Sequence, residues 1–356
     1  MVVETRRRDK SDAAGVDAIR AGRYREFRRT CAVPRELMFA ALLNPQAAHT
    51  HTLDLRAALE AAGPRMRLTI AHHPDMIDDL IADLQANPVE LLFVVGGDGT
   101  VTQLLTRAAR AGFLEGLPPI LVLPVGRLHT IASVVTGTEN PAKMFSHMLF
   151  SWGKGVRRIR RVPVIRAKIG DLPEAWGLTA SLGAPGRLHR DIRAQKLGAQ
   201  MGLAGLLAKV AVQPFELDRF EAVVGPFEAE PEPLTLPGFT AGVMSALPSF
   251  FGMVAPFPGV DGLATHGVHA VFSELGPMAT QASLPGLLLG RMGLPHVWHG
   301  SLTRLAWRNG DVPDVVVLDG EDLIVAPRAQ VELSVGARVR FVVWRDLPLP
   351  IAANQP

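Results

Sequence analysis

The pattern of apolar residues predicts an α/β domain built on a parallel sheet, followed by a second, mostly β domain. Three observations carry this. From Leu37 onward short apolar runs alternate with helical periodicity, the form of repeated βαβ units. After about residue 155 the texture changes to β-branched alternating runs rich in Gly and Pro, with few helical patterns. The chain of 356 residues is also longer than one core usually organises, since domains cluster near roughly 100–150 residues.

Element by element, residues 37–44 read as a strand and 53–62 as a helix stopped by Gly63 and Pro64. Residues 66–72 form the next strand. Asp75 is placed to cap a helix whose Met76, Ile77, Leu80, Ile81 and Leu84 share one face. The run 91–95 is continuously apolar, as in a strand buried on both faces. A helix from about Val101 to Arg110, ended by Gly112, leads to a strand at 120–124, and another helical segment begins near Thr130. In the second domain an amphipathic helix is expected over 192–210. Strands are expected at 315–318, 329–335 and 338–344, with turns at Asp319-Gly320 and Gly336. The expected division is a basic N-terminal extension over 1–36, an α/β domain over 37–155, with 345–356 a candidate to complete it, and a mostly β domain over 156–344.

Composition excludes several classes. Hydrophobic residues make up 48% and charged residues 20%, which rules out a mainly disordered or collagen-like chain. The single cysteine, Cys31, cannot form an internal disulfide or a Cys-based zinc site, so a reducing, cytoplasmic setting is expected. Net charge is +3, yet residues 1–36 hold ten Lys/Arg and six Asp/Glu, leaving 27 basic and 28 acidic residues beyond them. The basic character is thus mostly N-terminal, and no nucleic-acid partner is expected for the folded body. The opening MVVETRRRDKSDAAG lacks the apolar stretch of a secretory signal. Prolines interrupt the longest apolar runs, so no spanning helix is expected.

The most informative segment is Gly96-Gly97-Asp98-Gly99-Thr100, where the buried strand 91–95 meets a helix. Glycines there admit a phosphate close to the backbone, and the N–H groups of the helix start favour an anion. Asp98 would face the crevice outside the strand ends. Beside phosphates a carboxylate is repelled unless it binds Mg²⁺ or takes a proton from an attacking hydroxyl, and either role means phosphoryl transfer. Read alone, the segment is equally a tight turn whose Asp satisfies backbone donors. The next strand, however, runs into Pro124-Val125-Gly126, a second Gly-containing loop at the same sheet edge.

With these residues the chain resembles the diacylglycerol kinase catalytic domain family, which includes bacterial lipid kinases, sphingosine kinases and ceramide kinases. Asn44-Pro45 is similar to the family's early strand-end Asn-Pro, and Gly96–Thr100 is its GGDGT. Asp261-Gly262-Leu263 is similar to its Asp-Gly-x-Leu element, and Asp319-Gly320-Glu321 to its late Asp-Gly-Glu. The resemblance implies a Rossmann-like nucleotide domain and a β-sandwich-like domain, with ATP, Mg²⁺ and a lipid hydroxyl meeting between them. It implies an ATP-dependent lipid kinase acting on diacylglycerol or a related lipid, peripheral at the inner face of a membrane, with an oligomeric state left open.

By the same resemblance Asn44, Gly96, Gly97, Asp98, Gly99, Thr100 and Gly126 would hold the nucleotide. Asp319 would be the candidate general base, Glu321 its supporting carboxylate, and Asp98 a competing base. Asp98, Asp261 and Glu321 are the metal candidates. The chain departs from the family pattern in two places. Val101-Thr102-Gln103 stands where a small residue and Asn-Glu are usual, and Arg127-Leu128-His129-Thr130 replaces Thr-x-Asn-Asp. Arg127 could contact a phosphate and His129 could replace an amide contact to the nucleotide. These departures leave one alternative, a non-catalytic lipid- or nucleotide-binding protein on this scaffold; the nucleotide loop, which NAD kinases share, leaves another, a soluble-acceptor kinase resembling NAD kinase.

Apolar segments at 192–210, 250–253 and 284–294 could supply a lipid entrance, although core packing accounts for each alone. The basic residues Lys154, Arg157, Arg158, Arg160, Arg161, Arg166 and Lys168 read as an anionic-lipid contact or a charged edge strand. His72-His73, His266/His269 and His296/His299 read as surface or hydrogen-bonded histidines rather than metal ligands.

Overall fold

The computed structural model describes residues 37–47, 50–125, 130–137, 140–153, 158–187, 223–224, 227–231, 238–249, 255–257, 259–260, 262–274 and 296–344, with isolated positions 234, 236 and 279. Strands β1 (Phe39–Leu43), β2 (Met66–Ile70), β3 (Leu91–Gly96) and β4 (Ile120–Pro124) pair in parallel in the order β2-β1-β3-β4. Helices α1 (Thr50–Ala61), α2 (Asp75–Ala86) and α3 (Asp98–Arg110) form the crossovers, followed by α4 (Thr130–Val135) and α5 (Pro141–Trp152). The register sets Leu43 beside Val95 and Gly96 beside Pro124, so the chain leaves β1, β3 and β4 at one edge. Connections from β1 and β3 run to opposite sides. This opens the crevice in which such sheets bind ligands.

The sheet is covered on both faces. Phe39, Phe93, Leu121, Phe145 and Trp152 belong to one core with α1 and α5; Leu42, Leu92, Val94, Leu80 and Leu104 belong to the other with α2 and α3. That is why β3 is apolar at every position from Leu91 to Val95, all 0% exposed. Each fully buried Leu, Val or Phe contributes about 1.5–3 kcal/mol.

The later strands are β5 (Ile159–Ile169), β6 (Ala175–Gly177), β7 (Thr179–Gly183), β8 (Val223–Val224), β9 (Glu228–Glu230) and β10 (Gly238–Phe239). Then come β11 (Ala241–Ser245), β12 (Val268–Ser273), β13 (Val297–Leu302), β14 (Arg304–Arg308), β15 (Asp314–Leu318), β16 (Glu321–Val325) and β17 (Gln330–Val342). A separate antiparallel sheet has the order β13-β12-β11-β7-β15-β16. The other sheet spans both sides of residue 155, because β17 lies beside β4 in parallel and brings β5, β14, β9 and β6 with it. Leu178, Leu182 and Phe272 of the antiparallel layer share one core with Val164, Leu333 and Phe341 of the larger sheet. The α/β plus β-sandwich-like architecture is the one expected.

Several elements differ in detail. Helix α3 starts at Asp98 rather than near Val101, so three residues of the glycine segment form its first turn. Asp75 is the first residue of α2, not its cap; Pro74 holds that position without a side-chain bond. Helix α5 was not expected, although Asn140-Pro141 signals it: Asn140 Oδ1 accepts from Ala142 N (3.0 Å) and Lys143 N (3.2 Å). Gly336 makes no turn. Strand β17 runs through it with a register irregularity between Val335 and Ala337, and a β-carbon at Gly336 would collide with the Trp176 ring. The expected helix at 192–210 and the apolar segments 250–253 and 284–294 lie outside the described residues, as do 1–36 and 345–356. Among the described residues, no helix is long and apolar enough to cross a membrane.

Candidate active site at the β3–α3 junction

Strand β3 ends at Gly96, and Gly97 holds the N-cap of α3 with no side-chain bond of its own. Asn44 follows β1 at the adjoining edge. Its N–H donates to Val95 O (3.0 Å), and its Nδ2 donates to Thr100 Oγ1 (3.0 Å), stitching the β1 loop to the first turn of α3. A β-carbon at Gly96 would collide with the Thr100 side chain, so glycine is needed for this close return of the helix.

Asp98 faces the neighbouring loop. Its Oδ2 accepts from Thr130 N (2.9 Å) and its Oδ1 from Ile131 N (3.0 Å), so the aspartate of the glycine segment caps α4. Burial pushes its carboxyl up to about 6 from 3.8; the Asp319 charge adds to this, while the Ile131 and Thr130 donors oppose it. The two amides and the Thr130 hydroxyl leave about one of its four lone-pair positions open. Asp98 is only partly buried.

Asp319 arrives from the antiparallel sheet. The hairpin β15–β16 turns at Asp319 (φ 46) and Gly320 (φ 88), both left-handed as a two-residue primed turn requires, with Leu318 opposite Glu321. Asp319 is 8% exposed. Its Oδ1 accepts from Thr179 N (2.7 Å) and Thr179 Oγ1 (2.8 Å), and its Oδ2 from Leu178 N (2.8 Å) and Thr102 Oγ1 (3.0 Å). Burial raises its pKa, and the four donors work against that. Four donors occupy essentially all the positions a carboxylate offers. Gly177 makes room for this, since a β-carbon there would lie 2.5 Å from Asp319 Oδ2 and 2.8 Å from Leu318 Cγ. Glu321 reaches the glycine segment: its Oε1 lies 3.4 Å from where a β-carbon on Gly99 would sit.

The structure therefore brings together Asn44, Gly96, Gly97, Asp98, Gly99, Thr100, Asp319 and Glu321. Gly126, Arg127, His129 and Asp261 lie outside the described residues. Thr179 and Gly177 were missed by sequence reasoning, and Thr102 and Thr130 entered it only as departures from the family pattern, with no role. Thr102 left a further signal, a hydroxyl on the apolar face of an amphipathic helix. The basic residues of β5 sit elsewhere: Arg161 pairs with Arg340, which donates to Leu117 O (2.7 Å), level with the amino end of β4 and across the sheet from the crevice. His269 Nε2 lies 3.1 Å from Gly262 O, and burial lowers its pKa.

Among the described residues, no group of three or more His, Cys, Asp or Glu side chains could hold a metal ion by itself. Mg²⁺ is usually held by one or two carboxylates completed by substrate phosphates and water. Glu321, which reaches Gly99, and the remaining open position of Asp98 fit that chemistry.

Sequence comparison sharpens this picture. Residues 39–157 match the family model of the diacylglycerol kinase catalytic domain. That is the family the motifs resemble, and the matched segment contains the whole β3–α3 junction. Two structures from Bacillus anthracis str. Sterne are similar over nearly their full length. One, provisionally described as a diacylglycerol kinase, is 14% identical with a TM-score of 0.62, covering 87% of this chain and 98% of its own. Another, described as a diacylglycerol kinase, is 13% identical with a TM-score of 0.58, covering 87% and 98%. At these identities the likeness is one of fold, and it extends beyond the matched domain into the antiparallel sheet. No curated protein matches the chain in sequence.

Proposed function

We propose that this protein is a lipid kinase that transfers the γ-phosphate of ATP to a hydroxyl of diacylglycerol or a related lipid. The observation that carries the reading is the return of the Asp319–Glu321 turn to the glycine segment, through a Thr102–Asp319 bond between residues 217 apart in the chain.

In this reading the backbone of Gly96 to Thr100 holds the triphosphate at the start of α3, where N–H groups and the helix dipole favour it. The acceptor hydroxyl gives its proton to Asp98, the aspartate with an open lone pair. Its oxygen bonds to the γ-phosphorus as the bond to the β-phosphate oxygen breaks, and ADP leaves. Asp319, with its lone pairs taken, serves to hold the turn, and Glu321 faces the phosphates. Mg²⁺ bound by Glu321 and the phosphates would neutralise charge on the transferring group. Positioning and charge neutralisation supply most of the rate enhancement in such reactions.

The test is to incubate the purified protein with labelled ATP, Mg²⁺ and mixed micelles of diacylglycerol, monoacylglycerol and sphingoid bases, with NAD in parallel. Label should appear in a lipid and vanish in Asp98→Asn. Label in NAD would move the assignment to a soluble-acceptor kinase. Nucleotide binding with no transfer would make this a binding protein on the kinase scaffold.

A further inference from the structure

Helix α3 carries Thr102 and Thr106 on its buried face, 3% and 7% exposed. Four residues apart, they stand one turn above the other on the same side. A buried hydroxyl is costly unless bonded, and both are bonded outside the helix. Thr106 Oγ1 accepts from Trp176 N (3.0 Å) and donates to Trp176 O (3.2 Å). Thr102 Oγ1 meets Asp319 Oδ2 at 3.0 Å. The other three donors to Asp319 come from Leu178 and Thr179, at the start of the adjacent strand β7. Asp319 is thus fixed within the antiparallel sheet, and among the described residues Thr102 alone reaches it from the parallel domain.

Thr102 Oγ1 also lies 3.0 Å from Asp98 O, four residues earlier. A hydroxyl has one proton and can serve one acceptor at a time. The ionised carboxylate is the stronger acceptor, so the proton goes to Asp319 rather than back into the helix. At this position the resembling family usually has asparagine, and threonine preserves a donor there.

We propose that Thr102 is a positioning residue for phosphoryl transfer, whose hydroxyl holds the Asp319–Glu321 turn against the first turn of α3. It touches neither nucleotide nor acceptor and acts through Asp319. Asp98, Gly99 and Glu321 keep one mutual geometry because of it. The proposal rests on the kinase reading above.

The test compares the full-length wild type with Thr102→Val and Thr102→Ser, measuring lipid phosphorylation and amide hydrogen exchange of peptides covering residues 98–104 and 316–322. Thr102→Val keeps the volume and removes the donor. It should lower kcat by about ten- to a hundredfold, leave the KM for ATP within about twofold, and raise exchange in both segments together. Thr102→Ser should return kcat and exchange close to wild type. Wild-type kcat in Thr102→Val, or a serine variant as impaired as the valine one, overturns the proposal. If the wild type phosphorylates no acceptor, the kinase reading falls and exchange alone decides. A joint rise that serine reverses then upholds the tie, and unchanged exchange sinks it.

Discussion

Two Asp-Gly pairs meet at the candidate site, and their surroundings give them opposite characters. Asp98 begins a helix at the end of a parallel strand, is partly exposed, and bonds two amides of α4. Asp319 sits in a left-handed hairpin turn, is 8% exposed, and takes four donors. One carboxylate keeps room for a proton or a cation; the other has its capacity used up in holding the molecule together. Residue type therefore says little about role here. The number of donors around the carboxylate says more.

Asp319→Ala should have the largest effect on folding. It leaves two amides and the Thr179 hydroxyl buried without an acceptor, while Thr102 can turn to Asp98 O, at about 1–3 kcal/mol for each group that finds no water. Urea unfolding should show a loss of at least about 3 kcal/mol. Asp98→Ala removes a helix cap worth about 1 kcal/mol but also relieves a buried charge, so the net loss should stay under about 1 kcal/mol. Equal losses would erase the distinction between the two aspartates. In the kinase assay Asp98→Asn should cut transfer by about a hundredfold or more while the protein stays folded.

Gly177→Ala probes the packing that presses Asp319 into place. Its methyl would meet a carboxylate oxygen and a leucine in the core, so a loss of about 1–3 kcal/mol is expected in thermal or urea unfolding. The smallest expected effect concerns pH. Asp98 must be ionised to accept a proton, so kcat/KM, which reports the free enzyme, should fall as pH drops through about 6 and stay level above it. Stability should move the other way. The folded state keeps the Asp98 proton from 3.8 up to about 6 while the unfolded chain has released it, so this contribution is lost as pH rises through that window. A kcat/KM profile with no acid limb near 6 would take the proton-accepting role away from Asp98.

The parallel half was legible because its signals are local. Strand β3 shows its double burial in five consecutive apolar residues, and Gly96–Thr100 shows a strand-to-helix junction whatever surrounds it. The Asp319-Gly320 turn was legible as a hairpin for the same reason. The start of α3 was misjudged by three residues because glycines are poor helix formers, and the Thr100–Asn44 bond that closes the first turn comes from another strand. Gly336 looked like a turn because the Trp176 ring that requires a glycine there lies on β6, far back in the chain.

The sequence by itself determined the parallel α/β core, the glycine junction and the hairpin that carries Asp319, since each follows from periodicity or backbone freedom within a few residues. Only the tertiary structure decided which carboxylate is saturated and which is open. The donors that make the difference, Thr102, Leu178 and Thr179 for Asp319 and Thr130 and Ile131 for Asp98, come from segments 32 to 217 residues away. A carboxylate's pKa and available lone pairs depend on what is packed around it, and that is set by how the two sheets and helix α3 close on one another.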